Sequence, residues 1–225
     1  MPQKIPLASI IVKVLLFVVS VIAFLFVPAG TVYWPEAWLY IAITFAYFIP
    51  MVFYLKKHSP ELLERRSKMM PEKGWDAVFT IGSGIIFVVM FALLGLDAVR
   101  FQWSSVPLSI KAIGFIGTAL SYVAVFFVMK ENSYLFRIVK IEQGQKLATK
   151  GPYAIVRHPM YISVIVMVFS LPLALGSYYG LIPAALINLC IVARTVMEDS
   201  LLQKELPGYK AYAQKTRYRL LPGVW

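Results

Sequence analysis

Cysteine and histidine are almost missing from this chain. Among 225 residues there is one cysteine, Cys190, and two histidines, His58 and His158. A single thiol excludes an intramolecular disulfide and a cysteine-built metal site. Two histidines exclude a histidine-rich cluster, so no metal centre is expected. Acidic residues are scarce as well, 11 against 22 Lys+Arg. No repeat and no low-complexity linker divides the chain, so one domain over 1–225 is expected.

Apolar residues are in excess instead. They make up 60% of the chain, where soluble domains carry roughly 45–50%. They fall into six runs, about 8–27, 37–55, 77–96, 110–129, 159–175 and 178–197. A helix needs roughly 20 apolar residues to cross ~30 Å of hydrocarbon. In lipid the backbone must satisfy its own hydrogen bonds, which selects helices. The expected fold is all-α, a polytopic membrane bundle of about six transmembrane helices. The first run lacks a small-residue cleavage motif and is too long for a signal core, so it reads as a retained span. Only Gly176 and Ser177 separate the last two runs, which predicts a tight C-terminal hairpin.

Charge orients this bundle. Lysine and arginine fall in the N-terminus through Lys13, in 56–75, in 130–158 and from Arg194 onward. In a six-span arrangement these clusters share one side, with only Arg100 and Lys111 opposite. Both termini are therefore expected in the cytoplasm. The net charge of +11 reads as membrane topology and headgroup attraction, with no nucleic-acid partner. Ser59-Pro60-Glu61 predicts a short surface helix over about 60–69. The tail is expected to turn at Pro207-Gly208.

Two cytoplasmic segments hold most of the unusual polar residues. One runs from Gln145 through Tyr153 to Arg157-His158-Pro159-Met160-Tyr161. The other is Arg194-Thr-Val-Met-Glu198-Asp199. They border the last two runs and can meet at one membrane face. Each residue also has a plainer reading. Arg194 and Glu198, at i,i+4, read equally as a surface ion pair. His158 reads as a loop end. Lys146, Lys150 and Arg137 read as headgroup contacts, and Asn132 as a local cap. Gly82, Gly84, Gly114 and Gly117 read as close-packing positions. Cys190 reads as an inert buried thiol.

Taken together, Gly151-Pro152-Tyr153, Arg157-His158-Pro159-x-Tyr161, the hairpin, Arg194-x-x-x-Glu198-Asp199 and Gly208-Tyr209-x-x-Tyr212 are more specific. The combination resembles the isoprenylcysteine carboxyl methyltransferase and phospholipid methyltransferase superfamily, over about residues 132–225. Pro60-Glu61-Leu62-Leu63 and Lys73-Gly74-Trp75-Asp76 are similar to bacterial members.

The resemblance implies an S-adenosylmethionine-dependent methyltransferase of a bacterial inner membrane, with a cytoplasmic cofactor pocket over 132–225. Its acceptor would be a lipophilic small molecule or a lipid among the membrane lipids, with a carboxylate favoured over a lipid amine or thiol. By position, Gln145, Lys146, Leu147, Ala148, Tyr153, His158, Pro159, Met160, Tyr161 and Glu198 fall in the cofactor pocket. Glu142 corresponds to a further polar contact. Arg194 and Glu198 correspond to the catalytic, substrate-side pair. Two departures stand out: Ser163 where the family has glycine, and Asp199 where it has a second glutamate. An NADPH-dependent sterol-type reductase shares the Arg-His-Pro-x-Tyr block. This chain is shorter and carries the Arg-x-x-x-Glu-acidic ending, which favours methyl transfer. A transporter is disfavoured by the lack of a repeat and of intramembrane ionisable residues.

Overall fold

Long apolar runs bounded by proline, glycine and charge become helices here. The structure is a computed structural model and describes residues 7–67, 74–135, 141 and 144–225. In chain order the helices are α1 (Leu7–Ala29), α2 (Pro35–His58), α3 (Pro60–Ser67), α4 (Gly74–Gly95), α5 (Leu108–Glu131), α6 (Pro159–Leu175), α7 (Leu181–Glu205) and α8 (Tyr209–Lys215). A π-turn, Leu96–Arg100, extends α4, and a single 3₁₀ turn covers Gly151–Ala154. No strand occurs among the described residues. Four of the six apolar runs lie within single helices, the third ends in the π-turn at Leu96, and the sixth begins three residues before α7. The short helix expected after Ser59 is α3.

Four helical stretches are long and apolar enough to cross a membrane: Pro35–His58, Gly74–Arg100, Leu108–Glu131 and Leu181–Glu205. Shorter apolar stretches lie in Val18–Ala29 and in α6. The outer surface agrees with a lipid environment. On α5, Ile113, Ile116, Leu120, Val123 and Phe127 are all exposed and recur every three or four residues. On α4, Val78, Ile81, Ile85 and Val88 do the same. A soluble helix would turn such stripes inward.

Local signals set the ends of α6. Pro159 opens it, where a missing N–H costs nothing. Gly176, at φ +85°, closes it and donates its N–H to the Leu173 and Pro172 carbonyls. The link to α7 is Gly176–Gly180, longer than the two residues expected. A tertiary clasp takes the extra residues. Asp97, fully buried in the π-turn, accepts Ser177 Oγ at 2.5 Å, Ser104 Oγ at 2.7 Å and the Tyr179 N–H at 3.3 Å. At the same end Lys111 Nζ meets Glu36 Oε1 at 2.6 Å.

The core fills the half of the bundle nearest this clasp. Leu25, Ala37, Met90, Leu94, Leu171, Leu175 and Ala184 are all buried there. Small residues let α5 and α6 approach. A Cβ built on Gly114 would sit 2.3 Å from the Ala174 amide nitrogen, and one on Gly117 would sit 2.2 Å from Ser170 Oγ. Gly95 is equally tight against α1, where a Cβ would lie 2.7 Å from Ala29 N. Gly82 and Gly84 do not behave as the sequence suggested, since nothing lies within 4 Å of a Cβ at either. Gly84 borders a cavity, and Gly82 has only open space beside it.

The contrast is measurable. Gly114→Ala drives a methyl into the α6 backbone and should cost about 1–3 kcal/mol. Gly82→Ala meets nothing and should be neutral or stabilising by up to about 1 kcal/mol from helix propensity. Thermal unfolding of the two variants in detergent tests the order. Equal melting temperatures would contradict the α5–α6 contact.

Candidate functional site

At the end away from the Asp97 clasp the helices splay, and the segments between α5 and α6 and after α7 close over the gap. Gly151 starts this architecture. Its φ is +56°, and a Cβ there would lie 2.8 Å from the Glu131 side chain, so glycine suits the position. The 3₁₀ turn that follows buries Tyr153. Asn132 Nδ2 donates to the Tyr153 hydroxyl at 2.9 Å, and Tyr212 of α8 donates to the Tyr153 carbonyl at 2.7 Å. Asn132 thus links distant segments and also accepts the Tyr134 N–H locally at 2.9 Å.

The tail returns to the same point. The Arg157 and His158 amides donate to the Tyr218 and Arg219 carbonyls at 2.9 and 3.0 Å. The Arg157 guanidinium adds bonds to the Thr216 and Arg217 carbonyls at 3.0 and 2.7 Å. These contacts seat residues 216–219 beside the start of α6.

Asp199 is the hub. It is wholly inaccessible and receives Arg157 through both oxygens, Nε to Oδ1 at 2.8 Å and Nη2 to Oδ2 at 3.0 Å. Arg219 Nε donates to Oδ2 at 2.9 Å and Gln203 Nε2 at 2.8 Å. The Tyr209 hydroxyl donates to Oδ1 at 2.9 Å, and His158 Nε2 lies 3.2 Å from the same oxygen. Burial works to lower the Arg157 pKa, but the hydrogen bonds and charge of Asp199 outweigh it and hold the group above its ordinary value. Burial and the Asp199 charge push the Tyr209 phenol far above its usual range. Burial also raises Tyr153, and lifts Tyr212 to about 12. These three phenols stay protonated near neutral pH and do not serve as bases; Tyr209 and Tyr212 donate hydrogen bonds.

Beside the hub lies a cavity of about 570 Å³, within the range of small-molecule and cofactor sites. Gln145, Lys146, Leu147, Ala148, Tyr153, His158, Met160, Tyr161, Arg194 and Glu198 all line it. The two polar segments therefore face one space. Glu198 accepts a short hydrogen bond from the Tyr161 hydroxyl. Arg194 Nη2 meets Asp76 Oδ1 at 2.7 Å, which ties α7 to a buried carboxylate in the first turn of α4. Pro159 is buried as the first residue of α6 and does not line the cavity. Glu142 lies outside the described residues. Ser163 turns its hydroxyl back on the Pro159 carbonyl at 3.0 Å and does not line the cavity.

Several of these residues have no role legible in the sequence alone. Arg157 lies inside the motif and Asp199 beside Glu198, where local pattern assigns neither a task. Tyr209 and Tyr212 belonged to the Gly-Tyr-x-x-Tyr signature. Arg219 carried no local signal, because its partner is 20 residues earlier.

A protein-family model described as phospholipid methyltransferase matches residues 91–207. That segment includes α5, α6, α7 and both polar stretches. No curated protein matches the chain.

Removing the hub should cost far more than trimming its edge. Asp199→Ala leaves buried cations uncompensated and should destabilise by about 3–5 kcal/mol. Tyr212→Phe loses one neutral hydrogen bond, about 0.5–1.5 kcal/mol. Chemical unfolding in detergent would contradict the hub if Asp199→Ala proved the milder change.

Proposed function

The chain belongs to the phospholipid methyltransferase family, and from that membership and the cavity we propose that it moves a methyl group from S-adenosylmethionine to a lipophilic acceptor at a cytoplasmic membrane face. One observation carries the reading: His158, Tyr161, Glu198 and Gln145–Ala148 line a single cavity that is polar at one end and apolar at the other. The bundle crosses the membrane six times, with the clasp at Asp97 on the far side and both termini in the cytoplasm. The separation of 20 lysines and arginines from Arg100 and Lys111 supports that orientation, in a bacterial inner membrane.

The residues present suit the donor. Its ammonium and sulfonium need anionic or aromatic neighbours, and its purine needs flat apolar walls. Glu198 supplies the carboxylate, and Tyr153, Tyr161 and Leu147 supply the walls. When bound, S-adenosylmethionine provides a methyl carbon bonded to a positive sulfur, and transfer leaves a neutral thioether. An acceptor atom would bond that carbon as the carbon–sulfur bond breaks, with the electron pair left on sulfur. A carboxylate acceptor needs no base. Arg194, oriented by Asp76, gives the cavity a cation to align it, so a carboxylate is the favoured acceptor. A protonated amine or a thiol must also lose a proton, which Glu198 would take. Orientation supplies much of the acceleration in such a displacement.

The test uses methyl-labelled donor with membranes containing the protein, then lipid extraction and mass spectrometry. Wild type should label an extractable lipophile. Glu198→Gln should weaken S-adenosylhomocysteine binding roughly 10- to 100-fold, the ~1.5–3 kcal/mol of a charged hydrogen bond. Arg194→Ala should abolish labelling while leaving donor binding within a few fold. Calorimetry showing tight NADPH and no S-adenosylhomocysteine binding would replace this reading with a hydride-transferring reductase.

A further inference from the structure

Three helices close below the cavity at a common depth, and this bounds what the acceptor can be. On α4, Thr80, Gly84 and Phe87 line the cavity, and the next residues on that face, Met90 and Leu94, are fully buried in the core. On α6, Tyr161, Val164 and Val168 line it, and Leu171 and Leu175 close it. On α7, Glu198, Arg194, Ile191 and Ile187 line it, and Ala184 closes it. The shared spacing of three or four residues means one face of each helix changes from wall to core. From Glu198 to Ile187 is eleven positions of α7, about 16 Å of helix. From Tyr161 to Val168 is seven positions of α6, about 10 Å. Below the polar rim, then, lies a blind apolar chamber.

Its mouth has one unusual polar atom. Thr80 Oγ1 is buried with no hydrogen-bond partner. It belongs to the cavity wall that also includes Arg194 and the Tyr161–Glu198 pair. A buried hydroxyl without a partner carries a cost, and a turn of the Thr80 side chain into the cavity would let a ligand's polar head relieve it.

We propose that Thr80 and Arg194 hold the acceptor's polar head, and that its apolar part fills the chamber between α4, α6 and α7, so that the acceptor is a lipophile with one chain. This inference rests on the methyl-transfer reading. Two features make one chain the occupant. The whole cavity, about 570 Å³, must take the donor too. The chamber also ends in packed core on all three helices, so the space left beside the donor suits one chain of limited length. A diacyl phospholipid would have to leave at least one chain outside.

The test keeps donor and acceptor apart. Wild type in detergent is given labelled donor with single-chain acids of graded length or with a diacyl phosphatidylethanolamine, and S-adenosylhomocysteine binding is measured alongside. Single-chain acids should be labelled at least ten times faster than the diacyl lipid, with an optimum in chain length. Gly84→Leu, built into open space, should reduce acceptor labelling at least tenfold with donor affinity unchanged within twofold. Phe87→Ala should move the optimum to longer chains. Thr80→Val should raise the acceptor KM roughly 2- to 10-fold, the worth of a neutral hydrogen bond, without changing donor affinity. Intact donor binding with equal labelling of the diacyl lipid, or with no effect of Gly84→Leu, overturns this inference alone. A wild type that binds no S-adenosylhomocysteine overturns the methyl-transfer reading and this inference together.

Discussion

A buried carboxylate cannot stand alone. Taking Asp199 out of water costs several kcal/mol unless charge and hydrogen bonds replace its hydration. The chain meets that demand from four places: Arg157 and His158 before α6, Gln203 on the same helix, Tyr209 at the start of α8, and Arg219 in the tail. Each donor fixes the backbone that carries it. The hub therefore does more than neutralise itself. It holds the α6 start, α8 and the tail in one arrangement, and the α6 start and α8 contribute to the cavity wall.

The cavity is the counterpart of tight packing elsewhere. Near the Asp97 clasp, helices touch through Gly114 and Gly95, and core side chains fill the space between them. With that half closed, modest divergence along helices of 20-odd residues opens a gap at the other end. Thr80 and Gly84 lie on the part of α4 that lines it. Asp76 and Arg194 then bridge α4 to α7 near the rim, so the gap keeps its width rather than collapsing.

Much of this was legible in the chain, and the failures have physical reasons. Hydrophobic runs gave the helices because span length follows from bilayer thickness. The ends of α6 were readable because Pro159 and Gly176 act locally. The start of α7 was not, since Ser177 and Tyr179 are drawn to Asp97, some 80 residues earlier. Gly114 and Gly82 look alike in sequence; only the neighbouring helix separates a close contact from a vacancy. The polar cavity residues were found through a motif resemblance, which also drew attention to Glu198. It did not reveal that the next residue is the structural one, because the partner of Asp199 at Arg219 lies outside any local pattern.

Adjacent acids on a helix point about 100° apart, and at 198–199 the two directions lead to different environments. Asp199 faces the tail and is saturated: a bidentate guanidinium, a second arginine, a glutamine and a phenol use its oxygens. Two arginines also neutralise its charge, so it offers little attraction to a cation in the cavity. Glu198 faces the cavity and receives the Tyr161 hydroxyl. An ionised carboxylate has roughly four acceptor sites, so one phenol leaves it capacity for a ligand's donors. The pair thus divides its work. The shorter Asp side chain suits the inward position, where Arg157 reaches it from the start of α6 and Arg219 from the tail. The longer Glu arm suits the outward one, where a ligand must be met in open space. A change that exchanged the two residues would preserve charge and composition yet lose both roles, since neither arm length would match the distance its side has to span.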